Sequence, residues 1–190
     1  MAATTIDVSK LAFATIFTNA KGARQLPALF INGEPVAFQP EDFMQIPFEP
    51  SAFNDAEASR VTLCVTPSDS LVATIAQLDK WCLATLCATP LALLGVSLTP
   101  EQVRERYSSS LKTTEKGYTT VRAKMNRNGR HALQCYDSEL EKMPHPENWK
   151  SCMIRPRLVF KGIWIMGKDF GTILECTHAV VKESTDECPF

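Results

Sequence analysis

Residues 117–126 read Gly-Tyr-Thr-Thr-Val-Arg-Ala-Lys-Met-Asn and alternate in character with a period of two. That period is typical of a β-strand, because successive side chains point to opposite faces. One face is small or apolar and carries Thr119, Val121, Ala123 and Met125. The other carries Tyr118, Thr120, Arg122, Lys124 and Asn126. The sequence therefore predicts a strand with one basic and aromatic face.

Further strands are predicted on both sides of this stretch. Upstream they cover residues 11–17, 28–31, 35–38 and 60–65, and downstream residues 131–136, 152–166 and 172–181. Asn32-Gly33 between two apolar runs predicts a hairpin with a type I′ turn, in which both residues have positive φ. Residues 40–55 have no steady period, so we expect an ordered loop held by aromatic side chains.

Two helices are predicted between the strands. Thr66-Pro67-Ser68-Asp69 supplies a capping hydroxyl, a proline and an acid, and Thr99-Pro100-Glu101-Gln102 repeats that signal. The first helix should run to about Cys87. Its inward face holds Leu71, Ile75, Leu78, Cys82 and Leu86. Several short strands with two helices between them predict an α+β domain whose sheet curls into a small, partly open barrel.

Length and charge limit the class of protein. The chain has 190 residues, which suits one domain, and we assign residues 1–182 to it and 183–190 to an acidic tail. A net charge of -1 argues against a histone-like polybasic protein. However, residues 112–168 hold 12 Lys/Arg against 5 Asp/Glu. This local excess predicts an anion-binding surface.

The seven cysteines are odd in number, widely spread and lack a C-x-x-C pair. We interpret them as reduced, mostly buried thiols of an intracellular protein in the host cytoplasm or nucleus, or associated with a virion. The longest apolar stretch, residues 83–98, is interrupted by Pro90 and is too short to span a membrane. We therefore expect a soluble protein without a membrane partner.

The strongest feature is a basic and aromatic surface between Tyr107 and Phe170. Its other members are Lys112, Lys116, Tyr118, Arg122, Lys124, Arg127, Arg130, Arg155, Arg157, Lys161 and Lys168. Cations neutralise phosphates and rings stack on unpaired bases, without need for a particular base sequence. The competing interpretation, given even weight, is a solvated strand face. Trp164 is either a stacking platform or, by the frequency of buried aromatics, a core residue.

Catalytic and metal-binding motifs are absent from the sequence. It contains no phosphate-binding glycine loop and no nucleophile elbow, and the acidic run Asp137, Glu139 and Glu141 suits an exposed loop. Cys176 and His178 would share a strand face, but no second close pair completes a zinc site. We therefore expect no enzyme activity, no metal and no cofactor.

The order of these segments resembles the small single-stranded-DNA-binding proteins of large double-stranded DNA viruses and their relatives, which are OB-fold variants. The resemblance rests on Tyr107-Ser-Ser-Ser-Leu-Lys112, Gly117-Tyr-Thr-Thr-Val-Arg-Ala-Lys124 and Gly162-Ile-Trp-Ile-Met-Gly-Lys-Asp-Phe-Gly171. It implies an OB-like open barrel with a groove for an unpaired strand. The residues it places at the groove are Tyr107, Lys112, Tyr118, Arg122 and Lys124, with Trp164, Lys168 and Phe170 on the matching hairpin.

The sequence thus predicts a non-catalytic protein that binds single-stranded nucleic acid in replication, recombination or repair. DNA is the first expectation and RNA the alternative, because stacking and phosphate contacts serve both. A second copy of the chain and replication proteins are further candidate partners. The rival hypothesis is an assembly subunit of a capsid or replisome, with the acidic N-terminal half and the Phe-rich loop 43–53 as its contact surface.

Overall fold

The fold is built on one curled sheet. The structure, a computed structural model, describes residues 6–19, 22–52, 55, 57–115 and 117–183. Thirteen strands within these residues join the sheet. In chain order they are β1 (Leu11–Phe13), β2 (Phe17–Thr18), β3 (Arg24–Phe30), β4 (Val36–Phe38), β5 (Met44–Gln45), β6 (Arg60–Val65), β7 (Tyr107–Ser108), β8 (Leu111–Thr113), β9 (Thr119–Asn126), β10 (Gln134–Tyr136), β11 (Lys142–Met143), β12 (Cys152–Met166) and β13 (Asp169–Glu183).

The helices lie between β6 and β7. They are α1 (Asp69–Ala88), α2 (Pro90–Leu94) and α3 (Pro100–Arg106). Short 3₁₀ helices cover Val8–Lys10 and Trp149–Ser151. Ser68 caps α1 by accepting a hydrogen bond from the Leu71 N–H, and Thr99 forms a capping box with Gln102 at α3. Both predicted helix starts are therefore confirmed.

The long hairpin β12–β13 is the centre of the sheet. Along the main path the strand order is β1-β3-β12-β13-β10-β11. β2 adds to β3, and β4 and β5 add to β12. β13 pairs in parallel with β7, β9 and β10, and β9 carries β6 and β8 as antiparallel neighbours. Two register shifts, at Arg157/Leu158 and Phe160/Gly162, interrupt the hairpin. Such bulges increase local twist and bend the strands, which suits a curled sheet.

One face of the sheet forms the core together with α1. The buried residues of α1 are the five that were predicted, Leu71, Ile75, Leu78, Cys82 and Leu86. The Trp81 ring also lies 4.6 Å from Phe13 and 6.4 Å from Phe160, measured between ring centroids. By length and composition alone, α1 is long and apolar enough to cross a membrane. Its buried stripe packs into the core of this domain.

The predicted α+β, OB-like partly open barrel is confirmed, with differences in detail. The prediction was of short strands, whereas β12 and β13 have 15 residues each. They pair up to Met166 and Asp169, so Gly167 and Lys168 alone form the turn. The predicted strand 11–17 is split into β1 and β2, α2 is an additional helix, and Glu183 belongs to β13. Residues 184–190 of the predicted tail lie outside the described residues.

The predicted type I′ turn at Asn32-Gly33 is wrong in type. Gly33 has a φ of 84°, but Asn32 is not among the non-glycine residues with positive φ. The Phe30 carbonyl accepts a hydrogen bond from the Gly33 N–H, and the Phe30 N–H donates to the Glu34 carbonyl. The Asn32 side chain accepts a hydrogen bond from the Glu34 N–H, which favours this longer turn.

Candidate functional site

The outward face of β6, β9 and β8 forms the floor of a concavity. Directly opposed residues of antiparallel strands share a face, so the pairing register assigns the floor. The pairs on this face are Thr62 with Lys124, Cys64 with Arg122, and Thr120 with Lys112. Val121, Ala123 and Met125 are buried, and Arg122 and Lys124 between them are exposed. The predicted alternation is therefore confirmed from Val121 to Met125, whereas Thr120 is buried although it belongs to the outward face.

The concavity has a volume of about 610 Å³ and is called the groove below. The lining residues used below are Phe48, Ser108, Lys112, Arg122, Lys124 and Trp164. Phe48 comes from the loop beside β6, and its side chain is 60% exposed. Trp164 comes from β12 and is half-buried. Cationic side chains and two aromatic rings therefore line one concavity.

The three groove cations have no carboxylate partner within the part of the chain that the structure describes. Its three ion pairs, Lys10–Asp7, Arg60–Glu175 and Arg104–Glu101, involve other cations. The Lys112 Nζ donates to Ser108 Oγ at 2.6 Å, and the Lys124 Nζ donates to Thr62 Oγ1 at 2.8 Å. Both ammonium groups are thus held by neutral hydroxyl acceptors, and the carboxylate of Asp79 acts on Lys112 only from beyond ion-pair distance.

Glu49 also lines the groove. Its carboxylate accepts hydrogen bonds from the backbone N–H groups of Trp149 and Lys150, at 3.3 and 3.0 Å. These contacts tie the carboxylate to the segment 149–150. The charged residues that line the groove, Lys112, Arg122, Lys124 and Glu49, sum to a positive charge.

The electrostatic environment of the floor is visible in two pKa shifts. Burial, followed by the guanidinium of Arg60 and that of Arg122, lowers the pKa of Lys124. Burial raises the pKa of the Cys64 thiol, and the charges of Arg122 and Lys124 only partly oppose it. Both shifts reflect a partly dry surface in which cations lie close together. An anion entering the groove would relieve this repulsion.

A buried network positions residues 107–110, the segment that leads into Lys112 and is called the groove wall below. Asp79 on α1 accepts hydrogen bonds from the Tyr107 hydroxyl and the Ser109 hydroxyl, both at 2.5 Å. Burial raises the pKa of the Asp79 carboxyl, and burial raises the pKa of Tyr107 as well. Ser110 is joined to Thr172 of β13 through its N–H and its hydroxyl, both at 2.8 Å. Helix α1 and strand β13 thus hold the segment 107–112 from two sides.

Glycine at position 171 lets this wall approach the sheet. Gly171 pairs with Ser108 on one side and with Trp164 on the other. A Cβ atom at Gly171 would lie 2.2 Å from the Ser108 carbonyl oxygen, which is far too close for any side chain. The close approach of Ser108 therefore depends on this glycine.

The structure brings four of the predicted site residues together. Lys112, Arg122, Lys124 and Trp164 line the same groove. From the sequence alone, Trp164 is either a core residue or a groove residue, and the frequency of buried aromatics favours the core. Its neighbours Ile163 and Ile165 are buried at 0% and 7% exposure, while Trp164 lies on the opposite face of β12. The role of these four residues in binding stays a prediction.

Tyr107 and Phe170 lie on the other face of the sheet. Phe170 is 2% exposed, and its ring centroid lies 6.4 Å from that of Tyr107. The two residues are direct partners in β7 and β13, one position before the groove-facing pair Ser108 and Gly171. Because neighbouring strand residues face opposite sides, this pair belongs to the core. Their predicted place in the groove is corrected accordingly.

The remaining predicted residues are spread around the domain. Tyr118 is 70% exposed at the β8–β9 turn, and Lys168 lines a separate cavity of about 230 Å³ with Arg24 and Arg106. The Arg127 guanidinium donates to the Pro50 carbonyl, and Arg157 donates to Thr177. Arg130 is exposed in the turn after β9. None of these residues lines the groove. Lys116 lies outside the described residues.

The Phe-rich loop 43–53 is mostly committed to packing. Met44 and Ile46 are each 2% exposed. The Phe43 ring is covered by Arg155 and Lys182, whose charged groups lie 5.4 and 4.4 Å from the ring centroid. Phe53 lies outside the described residues. Phe48 is thus the exposed ring that this loop contributes to the groove.

Phe48, Thr62 and Ser108 were not predicted as groove residues. Thr62 could have been found by aligning the predicted strand 60–65 antiparallel to 119–126, had the register been known. Phe48 gives no periodic signal, because it lies in a loop. No three His, Cys, Asp or Glu residues group as metal ligands in the described ranges.

Comparisons with known proteins give matches in structure alone. No protein-family model and no curated protein matches the sequence. Among solved structures, the chain is similar to the single-stranded DNA-binding protein from bacteriophage Enc34 in complex with ssDNA, at 10% identity and a TM-score of 0.49, covering 93% of this chain and 97% of that one. A C-terminal truncation of the same phage protein matches at 9% identity and a TM-score of 0.48, covering 94% and 98%. A further structure of it matches at 10% identity and 0.47, covering 95% and 96%.

Proposed function

We propose that this protein binds single-stranded DNA in the groove, with little sequence specificity and without catalysis. One observation carries the proposal. Three cations that form no ion pair with a described residue, Lys112, Arg122 and Lys124, share a concavity with the rings of Phe48 and Trp164. Positive charge beside flat apolar rings is the combination that an unpaired polynucleotide requires.

Each component of the groove matches one component of an unpaired strand. Lysine and arginine attract phosphates, and binding releases the counterions that surround the polyanion. The ammonium of Lys112 and that of Lys124 are held by hydroxyl groups, so they are positioned before the ligand arrives. Phe48 and Trp164 offer faces to bases, and stacking on an aromatic ring accepts every base. Low sequence specificity follows, because stacking and charge read no base edges.

The shape of the groove favours single strands over duplex DNA. Rings can stack only on bases that are unpaired and turned outward. Half-buried Trp164 lies inside the concavity, where a rigid duplex would not bring its paired bases. We extend the proposal to the processes that expose such strands, which are replication, recombination and repair.

The free thiol of Cys64 in the floor suits a reducing compartment.

A charge-matched pair of variants tests the proposal. We expect Arg122→Ala with Lys124→Ala to weaken binding of a fluorescent oligothymidylate by about tenfold or more at low salt, because two phosphate contacts are lost. The control, Lys80→Ala with Lys142→Ala, removes the same charge from exposed positions outside the groove. Fluorescence anisotropy measures both. Equal affinity of the two double variants would reject the groove as the binding site, and no binding by the unmodified protein would reject the function.

A further inference from the structure

A second exposed ring, Phe17, lies on the same face of the sheet as Trp164. Phe17 of β2 pairs directly with Gln25 of β3, and Gln25 pairs directly with Trp164 of β12. Paired residues share a face, so Phe17, Gln25 and Trp164 form one row across three strands. Phe17 is 46% exposed. Single exposed phenylalanines are common on protein surfaces. This one is unusual because the strand pairing aligns it with Trp164 of the groove.

The row continues into the groove on its other side. Trp164 is opposite Gly171, and Gly171 is opposite Ser108. The Ser108 hydroxyl accepts a hydrogen bond from the Lys112 ammonium at 2.6 Å. From one end to the other, the row therefore presents a cation, a ring, an amide and a ring. It crosses the strands at right angles.

The dimensions of the row suit successive nucleotides. Neighbouring strands lie about 4.8 Å apart, so Phe17 is about 10 Å from Trp164 across β3. Gln25, between them, is half-buried and offers an amide that can hydrogen-bond to a base or a phosphate. β2 has only two residues and pairs with β3 alone, so its outer edge is free of further strands in the described ranges. A chain leaving the groove meets no strand beyond Phe17.

We infer that single-stranded DNA leaves the groove past Trp164 and crosses β3, and that a base stacks on Phe17. The inference rests on the proposed function. It assigns a direction to the bound strand, from Lys112 toward Phe17, perpendicular to β12. It also assigns a binding residue that lies outside the basic region 112–168. The occupant of Phe17 is a base of the same strand that fills the groove.

Oligonucleotide length separates the two parts of the path. Oligothymidylates of about 4 to about 16 nucleotides cover the usual range for one such domain. We expect Phe17→Ala to match the unmodified protein on the shortest oligomers, which fill only the groove. On the longest, it should bind about 5- to 150-fold more weakly, the loss of one stacked base. Phe17→Tyr should restore the unmodified length dependence, because tyrosine keeps the ring.

The control is Ile31→Ala, which removes an apolar side chain that is 72% exposed at the β3–β4 turn, about 20 Å along the strand from Gln25. It should bind every length as the unmodified protein does. If Phe17→Ala binds every length with unmodified affinity while Trp164→Ala weakens all of them, the path across β3 is wrong and the groove stands. If the unmodified protein binds no oligomer, the proposed function itself fails.

Discussion

Lys124 must hold a positive charge where water is partly excluded. Its burial, the neighbouring guanidinium of Arg60 and that of Arg122 together lower its pKa. Glu175, which pairs with Lys124 in register, is used by Arg60 in an ion pair at 3.0 Å. An external anion would therefore stabilise the charged form of Lys124. A bound phosphate would favour the protonated form and raise the pKa again.

This shift predicts a pH dependence of binding that belongs to one residue. Because the complex holds the Lys124 proton more tightly than the free protein does, affinity should fall as pH rises through the lowered pKa of the free protein. Lys124→Arg stays charged and should remove this early fall. The measurement is anisotropy with oligodeoxyadenylate between about pH 7 and pH 10, where adenine does not titrate. Parallel curves for both proteins would show that Lys124 does not contact the strand.

At single residues the sequence predicts faces better than partners. Period two assigns Arg122 and Lys124 to one face of β9, because only local geometry is involved. The resemblance implies Tyr107 in the groove and Phe170 on the matching hairpin as a binding residue, although each is one residue away from a groove-facing position. An error of one residue in the predicted position assigns a ring to the wrong face of the sheet. Phe48 lies in a loop, where no period indicates which way a side chain points.

At the scale of elements, the contact between β7 and β13 positions the groove wall. Gly171→Ala would place a methyl group 2.2 Å from the Ser108 carbonyl, so the strands must separate. We expect a loss of about 1 to 3 kcal/mol in the free energy of unfolding. Oligonucleotide affinity should fall as well, because Ser108 holds the Lys112 ammonium. Urea denaturation and anisotropy measure the two effects.

Gly129→Ala is the matched control for that substitution. Gly129 has a φ of 83° in the turn after β9, and a Cβ atom there would meet nothing within 4 Å. Alanine should cost about 1 to 2 kcal/mol of stability through backbone strain alone. It should leave oligonucleotide affinity unchanged. If both glycine variants bind as the unmodified protein does, the wall does not depend on Gly171.

Helices α1 and α3 and the basic strand were predictable because their signals are local, whereas α2 was not predicted. Ser68 and Thr99 are the N-caps of α1 and α3, and each makes its capping hydrogen bond within three residues. The full lengths of β12 and β13 were less visible, since two register shifts interrupt the hairpin. The parallel pairing of β13 with β7, β9 and β10 joins distant parts of the chain. No period in one segment carries such information.

Across the whole molecule, the curled sheet places the hydrophobic core and the proposed binding groove on opposite faces. One face packs on α1, and the other holds the groove and the row toward Phe17. The local excess of Lys/Arg in residues 112–168 was visible in the sequence, but only part of it converges. Three of those cations line the groove, while Lys168, Arg127, Arg130 and Arg157 lie elsewhere. The groove is thus a small cluster of positive charge within a protein of net charge -1.

The salt dependence of oligothymidylate binding shows whether this charge cluster binds the phosphates of a single strand. Each phosphate neutralised on a single strand contributes about -0.7 to the slope of log K against log salt, so three groove cations predict a slope of about -2 or steeper. Substituting Lys112, Arg122 and Lys124 together by alanine should bring the slope close to zero. A slope near zero for the unmodified protein, or an unchanged slope for the triple variant, would contradict the account.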